Sequence, residues 1–157
     1  MLFRGEFIRS DGLVCPNNVM NHGIQTFLNA ALKDDALALY MALANCNPSP
    51  DLEAAGLNEP TIATNGYARI AIERSATGWP VQASLNGENY WESRFFTWEA
   101  TGIGFDKAVN RLAILSHATQ TTGAIVVALG SAFAAAITIL STTPEVNRRW
   151  KYRLYAR

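Results

Sequence analysis

The side chains in this 157-residue chain that are able to do chemistry are few, and their spacing is informative. Cys15, Cys46, His22 and His117 are the only cysteines and histidines. They show neither CxxC nor HxxxH spacing, so they do not read as a metal site. Two cysteines thirty-one positions apart are far from a secreted disulfide framework, and they read as free thiols, with one disulfide as the alternative. His22 reads as a solvated residue near a helix start and His117 as a loop residue after a strand. The chain has no GxSxG nucleophile elbow, no GxxxxGK[ST] phosphate loop and no HExxH. Gly102-Ile103-Gly104 is a GxG without a third glycine that opens no helix, which makes it a turn. Glu88, Glu92 and Glu99 are the carboxylates a glycosidase would need. Glu88 and Glu92 flank an alternating run, where a solvated strand face explains them equally well. No catalytic, cofactor-binding or metal-binding residue is assigned, and the chain is read as a non-enzyme without a cofactor.

What remains is surface and shape. Four Trp and five Tyr suit either the fill of a β core and its interfaces or a carbohydrate-binding face. Arg148, Arg149, Lys151, Arg153 and Arg157 fall within ten residues that hold no acid. Residues 1–66 carry seven acids and three bases, and residues 67–157 carry six acids and ten bases. A basic end segment fits nucleic-acid binding, a charge-guarded edge strand, or head-to-tail association of an acidic face with a basic one. The last two fit best, because WKYRLYAR alternates and buries one face. The whole chain is neutral, with 13 Lys+Arg against 13 Asp+Glu. That is the wrong balance for coating nucleic acid.

The elements that must position these residues follow from length and periodicity. A chain of this length makes one domain and buries about 70% of its unfolded surface. It is 49% hydrophobic and only 17% charged, which suits a subunit covered by other chains. Residues 1–18 form an apolar arm or short strand pair that packs on its own body or on a neighbour. The domain proper runs over 19–157. Ile24, Phe27, Leu28, Ala31 and Leu32 recur at helical spacing and predict an amphipathic helix over 19–33, capped by Asn21. The period then drops to two. ALALYMALAN predicts a strand buried on both faces. Residues 45–60, rich in proline, form a long loop and a candidate interaction surface. Asn65-Gly66 and Asn86-Gly87 are tight-turn signals. Strands are predicted over YARIAIERS, NYWESRFFTWEA, residues 109–115 and WKYRLYAR. Residues 124–140 carry no charge and imitate a membrane span. Gly130-Ser131 and the β-branched runs on either side make two buried strands the better reading. The total is mainly β: a β-sandwich of about seven short antiparallel strands with one N-terminal amphipathic helix.

One ordered set of features resembles a family. NHGIQTFLNAAL is followed by LALYMALAN and a Pro-rich loop. Then come Gly66, Tyr67, Ala68 and Arg69, with Trp79 ten residues beyond and an aromatic strand ending in Trp98. This layout resembles small bacteriophage virion proteins, tail-fibre or minor structural, that carry a "helix, LYVAL, GYAR, W" order. The match spans roughly residues 19–140. The long N-terminal arm and the basic last strand depart from it. The resemblance implies a virion protein, assembled in the bacterial host cytoplasm, that acts by assembly. Its station would be capsid decoration or cement, or a head–tail adaptor or fibre anchor. Its partners would be other virion proteins and further copies of itself, without nucleic acid or membrane. Phe3, Phe7, Ile8 and Leu13 in the arm, and Arg148, Arg149, Lys151 and Arg153, are the candidate assembly contacts. The alternative is a carbohydrate-binding, receptor-binding module. For GYAR itself, Gly66 supplies positive φ, and Tyr67 and Arg69 share a strand face where Arg69 stacks on Tyr67 or pairs with a carboxylate across the sheet.

Overall fold

A computed structural model of the chain describes residues 3–19, 39–49, 52–119 and 125–156. The helix predicted over 19–33 lies almost wholly outside the described residues. The protein is mainly β, an antiparallel sheet curled into a half-barrel. Its strands are β1 (Phe3–Arg9), β2 (Val14–Val19), β3 (Leu39–Ala44), β4 (Ile70–Ile72), β5 (Val81–Leu85), β6 (Glu88–Glu92), β7 (Phe96–Thr97), β8 (Arg111–Leu115), β9 (Val126–Gly130) and β10 (Arg149–Ala156). A 3-10 turn (Ala54–Leu57) and a one-turn helix α1 (Glu145–Arg148) complete the described elements. All ten strands join one sheet in the order β4-β3-β8-β9-β2-β1-β10-β6-β5, with β7 pairing β10 off this path.

The sequence pattern predicts about seven strands and the described residues form ten, for identifiable reasons. The apolar arm is two strands, β1 and β2, and they lie in the middle of the sheet, paired with β10 and β9. Of the two alternatives for residues 1–18, the chain's own body is the one it packs on. The aromatic segment splits into β6 and β7 because β10 changes register against them. Arg153 faces Glu92, whereas Trp150 faces Phe96. The Ser93 hydroxyl fills the break by accepting the Tyr152 N–H at 2.9 Å. VQASL between Pro80 and Asn86-Gly87 adds β5. The second half of the uncharged stretch is not a full strand. Ile137 makes an isolated bridge to Val109, and Ile139 is buried. Among the described residues no helix is long and apolar enough to cross a membrane.

β10 is not an edge strand. It runs between β1 and β6, so its charges do not guard an open edge. Its alternation holds for Trp150 and Tyr152, both buried, while Lys151 and Arg153 face the other side. Across the sheet the rows read Gly5–Leu154–Trp91–Gln82 on one face and Glu6–Arg153–Glu92–Val81 on the other.

The larger core cluster joins side chains from both halves of the sheet. Met41, Leu43, Leu112, Ile114 and Ile72 meet Phe7, Cys15, Trp150 and Tyr152, with Tyr67, Trp98 and Phe105 among them. Such burial supplies the main driving force for folding, about 25 cal/mol per Å² of apolar surface. Gly5 is set by this packing. A Cβ there would lie 2.2 Å from the Tyr152 hydroxyl, whose ring crosses the strand at that point. A smaller cluster lies on the opposite face of β3, β8 and β9. Ala42, Ala44, Ala113, Leu115, Val126 and Leu129 pack under Ala54 and Leu57 of the 3-10 turn. A register shift at Ile114/Leu115 makes Val127 the extra residue of a bulge in β9.

Candidate functional site

Three places gather the residues that the sequence singles out. The first is the GYAR segment. Asn65 and Gly66 both have positive φ, 51° and 83°, and the Tyr67 N–H donates to the Thr64 carbonyl at 3.0 Å. The turn is there as predicted, but it ends a loop rather than joining two strands. Only Ile70–Ile72 of YARIAIERS is strand. The turn drives Tyr67 and Arg69 inward, to 1% and 6% exposure. Both reach one carboxylate, that of Glu59. Tyr67 Oη donates to Glu59 Oε2 at 2.8 Å and accepts the Leu43 N–H at 3.2 Å. Arg69 Nε donates to both Glu59 oxygens, at 3.2 and 3.1 Å, its Nη2 forms a further contact with Glu59, and Nη1 donates to the His117 carbonyl at 2.8 Å. Burial pushes the Tyr67 hydroxyl well above its ordinary range, and the Glu59 charge adds to this. The hydroxyl therefore stays a donor. Trp98 closes the knot, its Nε1 donating to the Ala68 carbonyl at 3.1 Å. Of the two roles the sequence allows Arg69, meeting a carboxylate is the observed one. The carboxylate comes from the loop 45–60 and not from across the sheet.

Above Glu59 lies an open hollow of about 430 Å³ lined by Ala54, Pro60, Thr61, Ile62, Lys107 and Thr119. Lys107 Nζ donates to the Glu59 carbonyl at 3.0 Å, and Asp106 accepts both the Thr61 N–H and its hydroxyl, at 2.8 and 2.6 Å. These polar groups tie the loop down. Loop 45–60, predicted as an interaction loop, covers the chain's own sheet through Ala54 and Leu57.

The second place is the outward face of β1, β10 and β6, a ladder of alternating charge. Glu6 Oε1 accepts Arg153 Nη1 at 2.8 Å and Tyr155 Oη at 2.7 Å. Glu92 accepts Lys151 Nζ at 2.5 Å and Arg153 Nε at 2.7 Å. Arg4 binds Glu88 and lies 3.7 Å over the Tyr155 ring. Burial alone would raise the Glu92 pKa, but the hydrogen bonds from Lys151 and Arg153 outweigh it and hold the carboxyl below its ordinary value.

The ladder and the core place the candidate contacts. Phe7 is buried in the chain's own core, and Ile8, on the opposite face of β1 beside Lys151, is only 7% exposed, so neither is open to a neighbour. Leu13 is exposed, and the Phe3 side chain lies outside the described residues. Arg148 donates to the Thr143 and Trp98 carbonyls and pairs with Glu99. Arg149 pairs with Glu145. Lys151 and Arg153 are held in the ladder. The acidic and basic parts of the sequence thus meet within one chain: Glu6 from the first part holds Arg153 from the last.

The third place is the β5–β6 hairpin. Asn86 and Gly87, with φ of 52° and 80°, form its turn. Trp91, Gln82 and Leu154 share a row with Trp79 beside them, and together with Arg74 and Ser75 they line a hollow of about 300 Å³. Trp79 is half-buried and meets Tyr152 edge to face at 6.4 Å. Glu99 lies apart from Glu88 and Glu92, on Arg148.

Cys15 and Cys46 are free thiols, both with pKa raised by burial. Among the described residues no three of His, Cys, Asp and Glu gather as a metal site. Gly102-Ile103-Gly104 is a turn, with the Gly104 N–H donating to the Thr101 carbonyl. Sequence reasoning missed Glu59 and β5. Nothing local marks Glu59 as the partner of Arg69. β5 did carry a signal, a short alternating run bounded by Pro80 and Asn86-Gly87. Comparison of the chain with family models, curated proteins and solved structures finds no match.

Proposed function

We propose that this protein is a structural subunit of a bacteriophage virion that acts by assembly rather than by catalysis. The observation that carries assembly is where the large apolar side chains end up. Val81 and Leu85 stand exposed on one face of the β5–β6 hairpin and Trp91 on the other, and Ile103, 88% exposed, precedes Gly104, which lies against Leu140. Grouped exposed apolar side chains mark surfaces that other chains cover. Of the motif residues, Tyr67, Arg69 and Trp98 are buried, at 1%, 6% and 2% exposure. The ordered helix, GYAR and Trp layout supports the virion assignment. In this reading the curled sheet brings its two halves face to face as a β-sandwich around the shared core. The subunit sits on the capsid shell or at an adaptor station, among other virion proteins. Density-gradient purification of particles from cells that express the chain, followed by quantitative gels, tests this. The chain co-migrates with particles at fixed stoichiometry, and hundreds of copies place it on the shell while about six to eighteen place it at neck or tail. A chain left wholly in the soluble fraction overturns the reading.

A second reading rests on the Trp79–Trp91 hollow. Aromatic faces beside Gln82 and Arg74 offer a stacking platform with hydrogen-bonding groups at its rim, the make-up of a carbohydrate site. Soluble glycans then shift tryptophan fluorescence, and Trp91→Ala abolishes the shift. No shift across a glycan panel ends this reading.

A further inference from the structure

The two edges of the sheet are built differently. At one end β4 is three residues long, with exposed Glu73 and Arg74 directly after it. Short length and flanking charge are how proteins protect an edge from pairing with other chains. At the other end β5 is five residues long, Val-Gln-Ala-Ser-Leu, with no charge and no proline, and all five residues are exposed. Its inner side is paired with β6 along its whole length. Among the described residues no strand pairs its outer side. An edge of this kind is a template for another strand.

We propose that β5 is the seam through which two copies of this chain pair, antiparallel, about a two-fold axis at Ala83. The occupant is a second copy because the polarity of β5 reads the same in both directions. In this register Val81 faces Leu85 of the second copy, Gln82 faces its Ser84, and Ala83 faces its own counterpart. Apolar meets apolar and amide meets hydroxyl, which is the self-complementarity an isologous contact requires. The row behind the seam adds no repulsion. Glu88 is bound by Arg4, and Glu92 by Lys151 and Arg153. Pro80 at one end and the Asn86-Gly87 turn at the other limit the pairing to these five positions. The ten-stranded sheet then continues into a second across the seam. This inference stands independently of the virion reading.

A five-residue seam is small, so the dimer is weak and concentration-dependent. Sedimentation of the full chain over a concentration series reads it directly. Ala83→Lys places two ammonium groups face to face across the axis and weakens the dimer by about fivefold or more. Ala83→Glu does the same. An equimolar mixture of the two variants restores a dimer, which a folding defect in either would not allow. Ile103→Ser, at a loop tip away from β5, leaves dimerisation unchanged. A wild-type chain that stays monomeric up to about 1 mM overturns the inference. So does a dimer that Ala83→Lys leaves intact.

Discussion

The two halves of the sheet are made of the same kind of strand and are stabilised in different ways. In β4-β3-β8-β9 the inner strands are buried on both faces, by the main core on one side and by Ala54 and Leu57 of the 3-10 turn on the other. In β1-β10-β6-β5 one face carries Phe7, Trp150 and Tyr152 into the core. The other presents Arg4, Glu6, Glu88, Glu92, Lys151 and Arg153 as a cross-strand ladder. A doubly covered strand reads as a continuous apolar run such as LYMALA, and a singly covered one alternates, as in RWKYRLYA. The difference teaches where the chain's charges belong. On this face three acids and three bases from neighbouring strands pair with one another, so the face is neutral as the whole chain is.

The comparison can be broken most strongly in the covered half. Arg69→Met leaves the Glu59 carboxylate buried without its cation and costs about 3–5 kcal/mol of stability by urea unfolding. The double variant with Glu59→Gln recovers much of that loss. Next in size, Leu57→Ala opens a cavity under the 3-10 turn and costs about 2–4 kcal/mol by the same measurement. A loss below 1 kcal/mol would show that the loop merely lies on the sheet.

The ladder responds to pH and salt instead. Because folding lowers the Glu92 pKa below its ordinary 4.5, its stabilisation is fully present above that pH and is lost as pH falls through the lowered value. The stability difference between wild type and Glu92→Gln, up to about 1 kcal/mol near neutrality, therefore shrinks toward pH 3. The smallest effect is expected from Arg149→Ala, whose pair with Glu145 is solvent-exposed on both sides. It costs about 0.3–0.5 kcal/mol, and 1 M salt removes the difference between the two proteins.

Much of the local structure is legible in the sequence. The Asn-Gly turns, the doubly buried β3, the strand read over 109–115 (Arg111–Leu115 in the fold) and the alternating C-terminal strand can all be read from period and turn chemistry. The arm is legible as apolar but not as central, because nothing in FRGEFIR says which strand it will join. The Tyr67–Arg69 pair is legible as a shared face. Glu59 is not, because it lies in a loop and meets them only when residues 59 and 69 fold back on each other. The aromatic segment reads as one strand, since a one-residue register change on β10 leaves no mark on its own alternation.

The sequence by itself determined the Asn-Gly turns, the doubly buried β3, the one wet face of the C-terminal strand, and that no charge surplus is left over. Those properties depend on φ preferences and on side chains a few positions apart. Tertiary structure decided the strand order, the pairing of the first strand with the last, the partner of each charge, and which edge was left unguarded. These depend on register between segments as far apart as Glu6 and Arg153, and only the assembled sheet fixes it.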